Sequence, residues 1–187
     1  MNPVEVTAVG FGILAVYMNA KQNPWGWGAG LVNNALYTSL FFRGQLYALM
    51  GLQVCFAGVA VYGLWQWLRG GEQGTGVRVS PIPRGLGALV TLIAIAAAAA
   101  LGWALDTFTD GQQPLLDASI SVVSLVAQWM MARKYVETWW LWVGVNVFAV
   151  PLFLYRGEYP TAFQYTVFLG LALNGLLSWR RALRTAG

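Results

Sequence analysis

The stretch "LGALVTLIAIAAAAALGWAL", residues 86–105, decides what kind of protein this is. Thr91 is its only polar side chain and it carries no charge. A bilayer core takes about 20 consecutive apolar residues per helix, so this stretch fills one crossing. It offers nothing with which to bind a solute, which suits a connector between functional parts. The rest of the chain has the same bias: 58% of its 187 residues are hydrophobic and only 10% charged, with a mean hydropathy of +0.57. That balance belongs to a polytopic membrane protein and not to a soluble domain. The length allows roughly seven spans with short connections.

Seven apolar stretches are present, at about 4–20, 25–42, 46–68, 85–105, 116–132, 138–155 and 160–179. The start lacks a basic segment ahead of its apolar run, so it reads as a first span and not as a cleavable signal. An odd number of spans puts the termini on opposite sides. One side then collects Lys21, Arg69, Arg78, Arg84, Arg133, Lys134, Arg180, Arg181 and Arg184; the other keeps Arg43 and Arg156. Cytoplasmic loops carry the excess of Lys and Arg. The expectation is an N-terminus outside, a cytoplasmic C-terminus and a cytoplasmic loop at 69–84. Glu5, Asp106, Asp110, Asp117 and Glu158 fall on the outer side. The net charge of +4 thus reports topology, and no nucleic-acid partner is expected.

Shifted by 112 residues, the chain matches itself. Trp27 lies over Trp139, Asn34 over Asn146, Tyr47 over Tyr159, Gly63 over Gly175, Trp67 over Trp179 and Arg69 over Arg181. Glu5 lies over Asp117, and Lys21 over Arg133. Each copy holds three spans, and the fourth span turns the chain so that the copies run parallel. This gives an all-α integral membrane fold with a 3+1+3 parallel repeat, the SWEET-like plan, in which substrate sites lie between repeats near mid-membrane. The divisions are 1–69 for the first repeat, 70–111 for the loop and linker helix, and 112–187 for the second repeat with a basic tail.

Polar residues inside spans are costly in hydrocarbon, so they mark an interior. Here they are mostly amides: Asn33, Asn34, Gln53, Gln66, Gln128, Asn146, Gln164 and Asn174. Tyr37, Tyr165, Trp139 and Trp142 accompany them. Trp139, Trp142 and Asn146, at i, i+3 and i+7, share one helix face. On the seventh span Tyr165 and Asn174 are expected to share another. Trp140 points elsewhere and fits an aromatic belt at the membrane edge, as do Tyr47 and Tyr159. Gln66 and Gln128 are expected at the cytoplasmic interface. Indole faces attract organic cations, and amides pair with a carboxamide or hydroxyls. Asp117 and Glu137 sit at span edges, so no buried carboxylate relay for protons or sodium is expected, and transport should be unassisted. Pro151 should kink the sixth span. There is no histidine and one cysteine, Cys55, expected to be a packed apolar residue. Hence no metal ligand set, no catalytic residue and no cofactor are expected.

The stretches "GLVNNALY", "QLYALMGLQV", "VYGLWQW", "ARKYVETWWLWVGVNV" and "ALNG" resemble the PnuC-type nicotinamide riboside transporters. The resemblance covers both repeats and is weak in the fourth span and the long loop. It implies a bacterial inner-membrane carrier working by facilitated diffusion, with a cytoplasmic kinase trapping the vitamin, and a homotrimer in the bilayer. The family's Trp-x-x-Trp motif falls on Trp139 and Trp142, and its binding amides on Asn146, Asn174, Gln53 and Asn33. The repeat register selects Asn34, but Asn33 is the one favoured for the site, with Asn34 left open as a one-residue slip. Tyr165, Gln164, Tyr37 and Asp117 complete the expected substrate-binding set. Thr138, where the family motif has Asn, and Pro151 depart from the pattern. They leave room for a related carrier of thiamine or riboflavin. A membrane-embedded subunit of a larger importer is the alternative from another class.

Overall fold

The computed structural model describes residues 3–71, 74–109, 113–155, 157 and 159–186. Asp110, Arg156 and Glu158, which entered the charge reading, lie outside the described residues, as does the 111/112 division. The described residues form seven helices: α1 (Pro3–Ala20), α2 (Trp25–Arg43), α3 (Tyr47–Arg69), α4 (Arg84–Phe108), α5 (Pro114–Ala132), α6 (Thr138–Tyr155) and α7 (Tyr159–Ala186). Five of them, α1, α3, α4, α5 and α6, are long and apolar enough to cross a membrane. In α2 the amides Asn33 and Asn34 dilute the apolar run, and α7 ends in Arg180, Arg181 and Arg184. The basic tail expected after residue 179 is therefore the last two turns of α7.

Proline and short polar residues set several boundaries. Pro24 precedes α2, where the Asn23 side-chain oxygen accepts from the Trp25 N–H at 3.0 Å. Pro114 opens α5 and Pro83 precedes α4, positions where a missing N–H costs a helix nothing. The tight turns repeat with the sequence. Gln22 between α1 and α2 has φ 57°, and Lys134 between α5 and α6 has φ 54°. Gln45 between α2 and α3 has φ 56°, and Gly157 between α6 and α7 has φ 75°. All four lie at the 112-residue offset, in the left-handed region that costs a non-glycine residue roughly 1–2 kcal/mol.

Packing closes the helices into a ring. α1 packs on α2, α2 on α3, α3 on α5, α5 on α6, α6 on α7, and α7 back on α1. Among the described residues no two of these six pack backbone to backbone across the ring. The 112-residue shift carries every contact of the ring onto another contact of the ring. α4 stands outside, and among the described residues it packs on α5 alone, where Gly102 lies under Leu115. Small buried residues make the seams: Ala15 and Ala20 on α1 match Ala127 and Ala132 on α5, and Ala60 on α3 matches Ala172 on α7. Where the repeats differ, they compensate. The Thr138 hydroxyl donates to the Ala127 carbonyl at 2.7 Å. Its counterpart Gly26 leaves that space to the Asn19 side chain.

Candidate functional site: the interior of the helix ring

Four indoles plug the ring at its basic end. Trp27 and Trp67 meet edge to face at 5.5 Å and 89°, Trp67 and Trp179 at 5.9 Å, and Trp179 and Trp139 edge to face at 5.4 Å and 90°. Trp67 on α3 and Trp179 on α7 meet across the ring although their helices share no backbone contact. All four rings are at most 4% exposed. They fit because Gly63 and Gly175 give them room: a Cβ at Gly63 would stand 2.6 Å from the Trp27 ring, and one at Gly175 would stand 2.5 Å from Trp139. Each such aromatic pair contributes about 0.5–1.5 kcal/mol beyond the area it buries.

The plug is tied to the turns around it. Trp67 Nε1 donates to the Met131 carbonyl at 3.2 Å, and Lys134 Nζ lies 4.5 Å from the centre of the Trp67 ring. Burial pushes the Lys134 ammonium below the usual lysine range. The loop before α4 is laced to the α5–α6 turn: the Ser80 N–H donates to the Lys134 carbonyl, and the Val136 N–H to the Ser80 carbonyl, both at 3.1 Å. The Ile82 N–H donates to Glu137 Oε2 at 3.0 Å. Glu137 is thus a brace for the loop.

Above the plug come two polar layers. On α6, Trp142 and Asn146 follow Trp139 by one and two turns, about 5 and 10 Å along the axis. Asn146 is 3% exposed and its Nδ2 donates to the Trp142 carbonyl at 2.6 Å. Its counterpart Asn34 on α2 is 7% exposed. The indole N–H groups of Trp139 and Trp142 are buried and have no hydrogen-bond partner among the described residues, whereas buried indoles usually find an acceptor. About 21 Å from the plug along α7 lies the second layer. There Gln164 is within hydrogen-bonding reach of the Tyr37 hydroxyl on α2. Tyr165 stacks on Phe153 of α6 at 5.1 Å and meets Phe168 edge to face. Glu5, at the start of α1, is close enough to act electrostatically on Tyr37.

These positions correct parts of the sequence reading. Trp139 shares its helix face with Trp142 and Asn146, but its ring is wedged between Gly175 and Trp179 in the plug. Asn33 spends its amide on the Ala8 carbonyl of α1 at 2.7 Å, which ties α1 to α2; Asn34 is the buried amide in the register of Asn146. Asn174 is exposed and not brought to the cluster. It follows Tyr165 by nine residues, two and a half turns, which sets it on the opposite side of α7. Asp117 is exposed in the first turn of α5. Gln53 is half-buried on α3, in the register of Tyr165. Gln66, near the basic end of α3, is buried at 6% exposed, and its Nε2 donates to the Tyr62 hydroxyl at 2.6 Å. Cys55 is exposed on the outside of α3 and not packed. Trp140 is half-exposed with the Arg180 guanidinium 5.1 Å above its ring. Sequence reasoning missed Trp27, Trp67 and Trp179 as a unit, and Glu5 at the mouth. The signal was there in the matched Trp27/Trp139 and Gly63/Gly175 pairs.

Comparison with known proteins bears on what this ring is for. A family model described as the nicotinamide mononucleotide transporter matches residues 2–181. The nicotinamide riboside transporter PnuC of Escherichia coli is 30% identical over 98% of this chain and 87% of its own length. The riboflavin/roseoflavin transporter RibM of Streptomyces davaonensis is 28% identical over 90% of this chain and 80% of its own. The crystal structure of the vitamin B3 transporter PnuC superposes with a TM-score of 0.78, at 23% identity, over 100% of this chain and 85% of that one, so the two share a fold. The chain therefore belongs to the nicotinamide mononucleotide transporter family, the PnuC-type multi-pass membrane transporters, which are carriers and not enzymes.

Proposed function

We propose that the protein is a uniporter for nicotinamide riboside in a bacterial inner membrane. The observation that carries this reading is the ring interior: indoles and amides in layers, closed at one end by four tryptophans. All seven helices span the bilayer in the 3+1+3 parallel arrangement, α2 and α7 included, because each lies in the ring between helices that cross. The basic end is cytoplasmic and the N-terminus outside, so the plug is the closed inner gate. The pyridinium lies against the Trp142 face, where an indole attracts a cation. Asn146, Asn34, Gln164 and Tyr37 pair with the carboxamide and the ribose hydroxyls, and Gln53 and Tyr165 line the approach from outside. Glu5 and Asp117 at the outer rim draw the cation in.

Transport is downhill. The layers consist of indoles, phenols and amides, none of which titrates near neutral pH. A cytoplasmic kinase keeps the gradient by phosphorylating what enters, and the carriers assemble as homotrimers. The relative RibM supports a second reading, a carrier for riboflavin; that ligand is neutral and gains less from an indole face. Calorimetry with the purified protein tests the choice. Heat with nicotinamide riboside and none with riboflavin or thiamine is expected, and the reverse pattern would move the assignment.

A further inference from the structure

We propose a second binding site, for a phosphate-bearing anion, at the basic end of the molecule and outside the helix ring. A cavity of about 480 Å³ opens there, lined by Gly71, Thr75, Gly76, Arg78, Ser80, Arg133 and their neighbours Val77 and Tyr135. That is within the range of small-molecule sites. Its walls are fixed backbone. The Gly76 N–H donates to the Gly70 carbonyl at 2.8 Å and the Val77 N–H to the Gln66 carbonyl at 3.1 Å, which folds the glycine turn back on the end of α3. The opposite wall is the α5–α6 turn, held by the Ser80 hydrogen bonds to Lys134 and Val136. Gly71 and Gly76 have φ of 82° and 91°, and at Gly76 a Cβ would run into the Trp67 carbonyl. Only glycine builds this turn, and it leaves backbone open to a ligand.

The lining chemistry selects an anion. Its described lining residues offer two guanidinium groups and three hydroxyls, those of Thr75, Ser80 and Tyr135, and no carboxylate. Arg133 is aimed by phenols: its Nη1 donates to the Tyr62 hydroxyl at 3.3 Å, and Tyr135 is also within reach. A guanidinium has five N–H donors in a planar fork, so donors remain for phosphate oxygens. Among the described residues neither Arg78 nor Arg133 is in an ion pair. Glu137, the acid on the same turn, is spent on the Ile82 N–H. Glu72 and Gln73 lie outside the described residues and are not part of the assigned site. A free phosphate ester and an anionic lipid headgroup share this chemistry, and the experiment separates them.

The full chain is placed in phosphatidylcholine nanodiscs and titrated with ribose 5-phosphate by calorimetry. Its unfolding temperature is measured in parallel with and without phosphatidylglycerol. If the ligand is soluble, ribose 5-phosphate binds, and Arg78→Gln and Arg133→Gln each weaken it about tenfold or more. If it is a headgroup, phosphatidylglycerol raises the unfolding temperature of the wild type and not of Arg78→Gln. Arg84→Gln, at the start of α4 and outside the cavity, keeps the wild-type response in both arms. Arg78 is exposed and its side chain makes no hydrogen bond among the described residues, so its variant stays a valid test if Arg133→Gln misfolds. No response in either arm, or an equal loss in Arg84→Gln, overturns the proposal.

Discussion

Replacing Gly175 by alanine adds one methyl group where α7 packs tightly on the Trp139 ring. That methyl would stand 2.5–2.6 Å from three atoms of the Trp139 ring, about 1 Å inside ordinary carbon contact. Trp139 cannot simply retreat. Its ring is fully buried with its edge against Trp179 at 5.4 Å, and the preceding Thr138 is pinned to Ala127. Overpacking of this kind costs about 1–3 kcal/mol, and the absence of slack places this site at the upper end. Alanine returns roughly 1 kcal/mol of helix propensity. The net expectation is a loss of about 1–2 kcal/mol. Gly170→Ala is the control, because nothing lies within 4 Å of a Cβ there; it should be neutral or slightly stabilising. The assay is reversible unfolding in mixed micelles, followed by tryptophan fluorescence. Trp139→Phe combined with Gly175→Ala should recover part of the loss, since a smaller ring vacates the contested space. A Gly175→Ala variant as stable as wild type, or a Gly170→Ala variant equally damaged, would refute the plug.

Other consequences are open to simpler tests. Gly63→Ala, in the same register as Gly175, should lose a similar amount of stability in the same unfolding assay, and a neutral result would break the equivalence of the two repeats. Trp142→Ala should weaken substrate binding about tenfold or more in a titration, the scale of a desolvated cation–π contact, while Trp140→Ala should leave it near wild type; equal effects would mean that the α6 face does not discriminate. Gln45→Gly should raise stability by about 0.5–1 kcal/mol, because it relieves a left-handed residue at a modest entropic cost, and a melting curve settles the sign.

Much of this architecture was legible in the residues. The offset that pairs Trp27 with Trp139 and Asn34 with Asn146 also pairs the left-handed turns and the seams of the ring. Periodicity placed Trp142 and Asn146 on one face, and both lie above the plug. What could not be read was which neighbour each face meets. Trp139 and Trp142 look alike in sequence, but only Trp139 has a glycine opposite it on α7. The choice between Asn33 and Asn34 is a rotation of one residue, about 100°, and only packing shows which one turns toward α1. Asn174 and Tyr165 are nine residues apart, two and a half turns, so they cannot share a face of α7. Cys55 and Gln66 exchanged their expected environments because one-dimensional hydropathy does not say which side of α3 faces the ring.

The two seams joining the repeats are not alike. At the α3–α5 seam, Trp67 Nε1 bonds to Met131 and Arg133 reaches Tyr62. At the α1–α7 seam, the matching Trp179 Nε1 has no hydrogen-bond partner among the described residues.

Downhill carriage of a vitamin cation by this chain alone is the central claim, and counterflow in liposomes tests it most directly. The purified protein, reconstituted without partners into vesicles loaded with unlabelled nicotinamide riboside, should accumulate labelled nicotinamide riboside with no ion gradient imposed. Uptake that requires a proton or sodium gradient, or exchange of riboflavin or thiamine in place of nicotinamide riboside, would contradict it.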